Sequence, residues 1–212
     1  MLLKPSRDER IKTMNHAVLA EKFELIREHE LQFAFRVANG MINKPPVSVW
    51  LILLPFLLVY YMYQIQRYKS DVPAFAHGFM RTKQAALDLA LATLRSDRPP
   101  PAADTDTDSK DEATPTVAAV KAAQQAEVAL LDEHYLLLLA ADGADYASLL
   151  TSVYPTKADY LAFLERLQAM EGDVNQAVIA AFHENPEGRE AVRKMEKTAR
   201  SLRQVELKKF YG

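Results

Sequence analysis

The sequence predicts an all-α, membrane-anchored protein: one hydrophobic segment joined to an antiparallel helical bundle that includes a coiled-coil hairpin. Three observations lead to this fold class. Only 6 of the 212 residues are Gly, and the chain is rich in Ala, Leu, Glu and Lys, which lose little rotamer freedom in a helix. Apolar residues rarely alternate with polar ones at a period of two, so no strand is predicted. Finally, residues 45–66 contain no charged side chain.

Residues 1–44 are predicted to contain an amphipathic helix over 16–42. Its apolar side chains recur at steps of three and four and share one face: Leu19, Phe23, Ile26, Phe33, Val37 and Met41. Two consecutive prolines, Pro45 and Pro46, end the pattern, because the residue before a proline is pushed out of the helical region. The apolar face has two equally weighted interpretations, which are contact with a membrane surface and packing against later helices of the chain.

Residues 45–66 are predicted to be the membrane segment. A bilayer core of about 30 Å needs about 20 apolar residues in a helix, and this run is long enough. Trp50 near its start and the tyrosines near its end suit the headgroup boundary. A buried helix of a soluble domain is the alternative. The residues expected to be embedded are Val49, Trp50, Leu51, Ile52, Leu53, Leu54, Pro55, Phe56, Leu57, Leu58, Val59 and Tyr60.

Pro55 lies in the middle of this segment and leaves its path open. Proline removes a backbone donor and clashes with the preceding turn, which kinks a helix. A kinked span is favoured over a re-entrant hairpin made of two half-helices, 47–54 and 56–65. A juxtamembrane helix is expected over 67–95, with a joint at 71–73 around Pro73. Residues 96–116, rich in Pro, Asp and Thr, are predicted to be a disordered acidic linker that separates two domains.

Residues 117–212 are predicted to fold as a C-terminal helical bundle with short turns. Its first helix begins at Pro115 and runs to about 141, where Gly143 is expected to supply a left-handed cap. A short helix covers 146–153. Thr156 and Asp159 have the spacing of a capping box and open a helix that stops near 185, before the last helix.

Charge and periodicity in this bundle predict contacts of its last helix. Residues 117–184 carry three basic and ten acidic side chains, and residues 185–212 carry eight basic and four acidic ones, so these neighbours should lie side by side. The basic helix alternates its charges with Glu and lacks interleaved aromatics, which argues against nucleic-acid binding. A seam with the rhythm of a coiled coil is predicted to face a protein partner or a second copy: Val192, Met195, Ala199, Leu202 and Val205.

The search for chemistry finds no catalytic, cofactor-binding or metal-binding motif. The chain has no Cys, which excludes disulfides and thiolate chemistry. It also lacks paired histidines at metal-ligand spacing, nucleophile elbows and Gly-rich phosphate loops. No cofactor is therefore expected. If residues distant in sequence gather in the fold, the first candidates are Glu127, His134 and Tyr135, since Glu127 and His134 share one helical face.

The chain resembles an uncharacterised family of bacterial membrane-anchored helical proteins. The similar stretches are FAFRVANGMINKPPVSVWLILLPF, DEHYLLLLAADGADYASLL and TKADYLAFLERLQAMEGDVNQAV. The resemblance implies one hydrophobic segment and a helical C-terminal part, and no activity. We therefore expect a membrane-tethered, non-enzymatic scaffold or accessory subunit that contacts lipid and a protein partner. The expected location is a bacterial inner membrane with the C-terminal bundle in the cytoplasm. The alternative is a subunit of a membrane-bound enzyme or of a cofactor-carrying complex.

Overall fold

The computed structural model describes residues 7–42, 55–95, 115–181 and 186–212, and every regular element in these ranges is a helix. The all-α prediction is therefore confirmed for this part of the chain. The six helices are α1 (Arg7–Met41), α2 (Pro55–Arg95), α3 (Pro115–Ala140), α4 (Tyr146–Val153), α5 (Lys157–Ala181) and α6 (Pro186–Tyr211).

The helix starts follow local chemistry. Proline is the first residue of α2, α3 and α6, where its fixed φ suits the first turn and its missing N–H costs nothing. A capping box opens α4, with the Ser148 N–H donating to the Asp145 carboxylate at 2.8 Å and the Asp145 N–H donating to the Ser148 hydroxyl at 3.1 Å. The capping box predicted from Thr156 and Asp159 is confirmed at the start of α5.

The five long helices form a bundle with α4 packed against α1 and α3. Helix α1 runs antiparallel to α2, because Glu30 contacts Lys83 while Phe35, further along, contacts His77. The side-chain contacts of α1 with α6, of α3 with α5 and of α5 with α6 follow the same antiparallel order. Since α1 is also antiparallel to α3, helices α2 and α3 run in the same direction.

One core joins both sides of the expected domain boundary. Its buried members come from all six helices and include Ile26, Leu87, Leu131, Leu149, Leu164 and Leu207. A boundary was expected over 96–116, of which 96–114 lie outside the described residues, yet α1 and α2 pack directly on the helices that follow. The apolar face of α1 therefore contacts the protein's own helices, as the second interpretation held: Ile26 and Val37 are fully buried there.

Helix α2 is continuous through Pro73, so the predicted joint at 71–73 is wrong. Pro73 lies inside a helix of 41 residues. Proline costs one backbone hydrogen bond and usually kinks a helix. Here neighbouring turns are fixed by burial, because Val72 and Ala76 pack against Ala34 and Ala38 of α1. Tertiary packing thus keeps the chain helical where the local sequence favours a break.

The structure describes the predicted membrane segment only from Pro55 onwards, where α2 begins. The kink or hairpin predicted around Pro55 also involves residues 47–54, which lie outside the described residues. Of the residues expected to be embedded, 49–54 lie outside the described residues and 55–60 form the first turns of α2. Among the described helices, none combines the length and the apolar character needed to cross a membrane.

Gly143 lies beyond the end of α3 at Ala140 and has a different role from the predicted cap. No described residue has a positive φ, so the left-handed cap is wrong. Instead the backbone of Gly143 lies against the start of α4, where an added Cβ would come within 2.6 Å of the Ser148 Oγ and 2.7 Å of the Leu149 N. Glycine is needed here for a close approach between two chain segments.

Candidate functional site

Charged and titratable side chains meet inside the bundle. Six of them expose 8% or less of their surface: Glu30, Lys83, Glu127, His134, Arg203 and Glu206. They come from α1, α2, α3 and α6. A buried charge is costly unless it is paired and hydrogen-bonded, so the partners of each one decide what this interior can do.

The centre of the interior is an ion pair between Glu30 of α1 and Lys83 of α2, with 2.5 Å between the Glu30 Oε2 and the Lys83 Nζ. The Tyr135 hydroxyl donates to the other Glu30 oxygen at 3.1 Å. Although burial opposes ionisation, Lys83 lowers the pKa of the Glu30 carboxyl well below its ordinary value. The Lys83 ammonium also lies 5.3 Å from the ring centre of Phe33. This group joins α1, α2 and α3.

Two further ion pairs involve α6. Arg203 forms a bidentate ion pair with Glu171 of α5, in which its two Nη atoms donate to the two carboxylate oxygens at 2.6 and 2.5 Å. This pair confirms that the basic last helix lies beside the acidic helix α5. Arg36 of α1 pairs with Glu206, and the His29 Nε2 is 3.4 Å from the same Glu206 carboxylate. The first pair joins α6 to the helix before it and the second joins α6 to the first helix, α1.

His134 of α3 lies in an aromatic cluster. Its ring stacks on Phe163 with 4.1 Å between ring centres, and its Nδ1 is 2.9 Å from the Tyr154 hydroxyl. Burial lowers the pKa of His134 to about 3. His29 of α1 stacks on Tyr146 at 3.6 Å, and burial lowers its pKa to about 4. Both histidines are therefore neutral at pH 7 and act as packing groups.

Glu127 of α3 differs from the other buried carboxylates. It exposes 8% of its surface, and within the described part of the chain no side chain or backbone group pairs with its carboxyl. Burial, with repulsion from Glu171 second, raises the pKa of Glu127 to about 7. It lines a cavity of about 390 Å³ between α2, α3, α5 and α6. The cavity is walled by Phe75, Gly78, Phe79, Thr82, Lys83, Glu127, Glu171, Val174, Asn175, Met195, Glu196 and Ala199.

The three candidates Glu127, His134 and Tyr135 do not form one catalytic arrangement. Glu127 faces the cavity, His134 contacts Tyr154 and Phe163, and Tyr135 donates to Glu30. Among the described residues, no group of three or more His, Asp or Glu side chains is arranged to hold a metal ion. The described groups instead form a structural network with one carboxyl left beside a cavity.

The seam on α6 is largely used within the chain. Ala199 is buried against Phe33 and Val37 of α1, and Met195 and Leu202 pack on the same cluster. Val192 is half-buried, and Val205 exposes 57% of its surface. The described partner of most of this seam is therefore α1, and Val205 is its exposed member.

Sequence reasoning missed the network of Glu30, Lys83, Glu171, Arg203 and Glu206, since each member pairs with a residue far away along the chain. The helical spacing did indicate one of these residues. Lys83 lies three residues after Met80 and four before Leu87, so it shares their buried face of α2. A charge on such a face indicates a buried pair, although it does not name the partner.

No protein-family model, curated protein or solved structure matches the chain. The family resemblance and the function drawn from it stay predictions.

Proposed function

We propose that the protein is a membrane-tethered, non-enzymatic scaffold or accessory subunit that acts through protein contacts of its helices. The observation that supports this is the continuity of α2. Its first turns belong to the uncharged segment 45–66, and its C-terminal half is buried in the bundle core through Ala86, Leu87 and Ala90. A segment held by lipid would thus be connected to the folded bundle by one unbroken helix.

The interior supports a role that depends on a fixed shape. Three ion pairs connect α1 to α2, α1 to α6, and α5 to α6. Such pairs specify which helices meet more than they add stability. We propose that the bundle presents a fixed helical surface to a protein partner or to a second copy, on the cytoplasmic side of a bacterial inner membrane.

Membrane attachment is tested by extraction of the full chain from cell membranes with alkaline carbonate. We expect the wild-type protein to stay in the pellet. The Leu53→Arg and Leu57→Arg double variant should move to the supernatant, because each Arg in the centre of a bilayer costs about 2.5–3.5 kcal/mol. Leu94→Arg is the control, since Leu94 is already 41% exposed at the far end of α2. Release of the wild-type protein by carbonate would contradict the proposed attachment.

The scaffold role is tested separately by cross-linking the intact protein in its native membrane. We expect a specific adduct with one partner or a second copy, and we expect Val205→Glu to weaken it, because Val205 is the exposed residue of the predicted seam on α6. Recovery of monomers alone, over a range of cross-linker lengths, would contradict the proposal.

One observation favours the alternative, a subunit of a membrane-bound enzyme or cofactor-carrying complex. The cavity beside Glu127 has a volume and a buried titratable group of the kind found at ligand sites. An absorbance spectrum and a metal analysis of the purified protein test this alternative directly. A coloured or metal-loaded sample, lost on Glu127→Gln, would favour it over the scaffold.

A further inference from the structure

The cavity between α2, α3, α5 and α6 has one polar side and one apolar side. Phe75 and Phe79 of α2 stack on each other with 6.4 Å between ring centres, and together with Val174, Met195 and Ala199 they form the apolar wall. Glu127, Lys83 and Glu171 supply the polar wall. A ligand that fills this space must therefore carry both a polar group and an apolar body.

The charges around the cavity are unequally satisfied. The Lys83 ammonium pairs with Glu30, and the Arg203 guanidinium holds both oxygens of Glu171. Both nearby cations are therefore engaged by other carboxylates. Glu127 has neither a hydrogen bond nor an ion pair among the described residues, although it is more than nine-tenths buried. The polar wall therefore has one carboxyl that makes no hydrogen bond or ion pair within the described residues and opens onto the cavity.

We propose that this cavity binds a small amphipathic organic amine, whose ammonium group pairs with Glu127 and whose apolar body lies against Phe75, Phe79 and Met195. An ammonium supplies both the opposite charge and the hydrogen-bond donors that a buried carboxylate lacks.

Other ligand classes fit the same walls less well. An anion would meet Glu127 and Glu171 while the nearest cations are already paired. A metal ion would need more ligands than the described residues bring together. A purely hydrophilic cation would leave the apolar wall in contact with water. The proposed ligand therefore has one cationic end and a body of the size of a phenylalkyl group.

The first experiment compares three probes of matched shape, 4-phenylbutylamine, 4-phenylbutanol and 4-phenylbutyrate. Each is titrated into the purified full-length protein in a mild non-ionic detergent at pH 8.5, and binding is followed by calorimetry. We expect the amine to bind roughly ten- to a hundredfold more tightly than the alcohol, the range of a hydrogen bond to a charged group, and the carboxylate not to bind. Equal binding of the amine and the alcohol would overturn the proposal.

Two variants distinguish amine binding in the cavity from partition of the amine into detergent. Glu127→Gln keeps the size of the side chain and removes its charge, so amine affinity should fall roughly ten- to a hundredfold. Glu133→Gln is the matched control: Glu133 lies on the same helix, is 63% exposed and, among the described residues, pairs with Arg166 at 3.6 Å. It should bind the amine as the wild type does. Equal affinity of wild type and Glu127→Gln would overturn the proposal.

Proton release gives a measurement on the wild-type protein alone. The groups facing Glu127 are Lys83 from α2, Glu171 from α5 and Arg203 from α6. Because the pKa of Glu127 is about 7, an amine that binds its ionised form should release about half a proton at pH 7 and almost none at pH 8.5. Calorimetry in two buffers of different ionisation enthalpy measures this number. Amine binding that releases no proton at any pH between about 5 and 7 would also overturn the proposal, and this measurement does not depend on the Glu127→Gln variant.

Discussion

Replacing Lys83 by Met should destabilise the protein strongly, and the reason lies in the partner that it leaves behind. Lys83 exposes 5% and Glu30 exposes 7% of its surface, so water cannot solvate either charge when its partner is removed. Removing one member of a buried pair costs about 3–5 kcal/mol. We expect Lys83→Met to lower the free energy of unfolding by this amount at pH 7, measured by urea titration with far-UV circular dichroism.

Adding Glu30→Gln to Lys83→Met should restore most of the loss. Gln removes the unpaired charge and keeps an oxygen that accepts the Tyr135 hydroxyl, so the deficit should fall to about 1–2 kcal/mol. Lowering the pH towards 4.5 should narrow the deficit of Lys83→Met in the same way. Without its cation, the buried Glu30 has a raised pKa in the folded state, and this penalty disappears as the carboxyl becomes protonated in both states.

The control for this cycle is Arg166→Met, which breaks an ion pair whose side chains are 65% and 63% exposed. Exposed pairs contribute about 0.2–1 kcal/mol, so the control should hardly change stability. If Lys83→Met costs no more than this control, or if the two interior substitutions add their losses, the interior pair does not hold α1 and α2 together as argued.

Two more predictions concern close packing and pH. Gly40→Ala should destabilise by about 1–3 kcal/mol, because its Cβ would come within 2.6 Å of the Thr198 Cγ2, and adding Thr198→Ser should restore thermal stability by removing that methyl group. The pKa values of His29 and His134 are lowered in the folded protein, so the free energy of unfolding should be highest above pH 6.5. As the pH falls from 6.5 towards 4, each histidine should lower the free energy of unfolding by about 1.4 kcal/mol per pH unit. The raised pKa of Glu127 has the opposite effect, because it lowers the free energy of unfolding as the pH rises towards 7. Glu127→Gln should therefore make the free energy of unfolding fall more steeply towards acid pH, and should raise it by about 3 kcal/mol above pH 7. Urea titrations between pH 4 and 8.5 measure both slopes, and parallel slopes for the wild type and this variant would contradict the assignment.

Local signals predicted most helices of the C-terminal half. The range of α4 was predicted as the structure has it, and the capping box at Thr156 marks the start of α5. These features depend on residues within one turn of each other, so the sequence contains them directly. The path of α2 through Pro73 could not be read in this way, because burial against α1 outweighs the local preference for a break.

The interior network was hidden for a related reason. Glu30 pairs with Lys83 and Arg36 pairs with Glu206, so the partners lie 53 and 170 positions apart. Motif searches compare residues a few positions apart and miss such pairs. Periodicity shows which face of a helix is buried, but the choice of neighbouring helix depends on the whole bundle. The candidate cavity follows from that choice, since four helices supply its walls.

The pairing of the first and last helices has a consequence for the order of events during synthesis. The charge of Arg36 on α1 finds its partner Glu206 on α6, and Glu171 on α5 likewise awaits Arg203. Until α6 has left the ribosome, Arg36 and Glu171 lack the partners that pair with them in the folded protein. We therefore expect the growing chain to hold a loose, hydrated arrangement and to close its interior in a late, cooperative step.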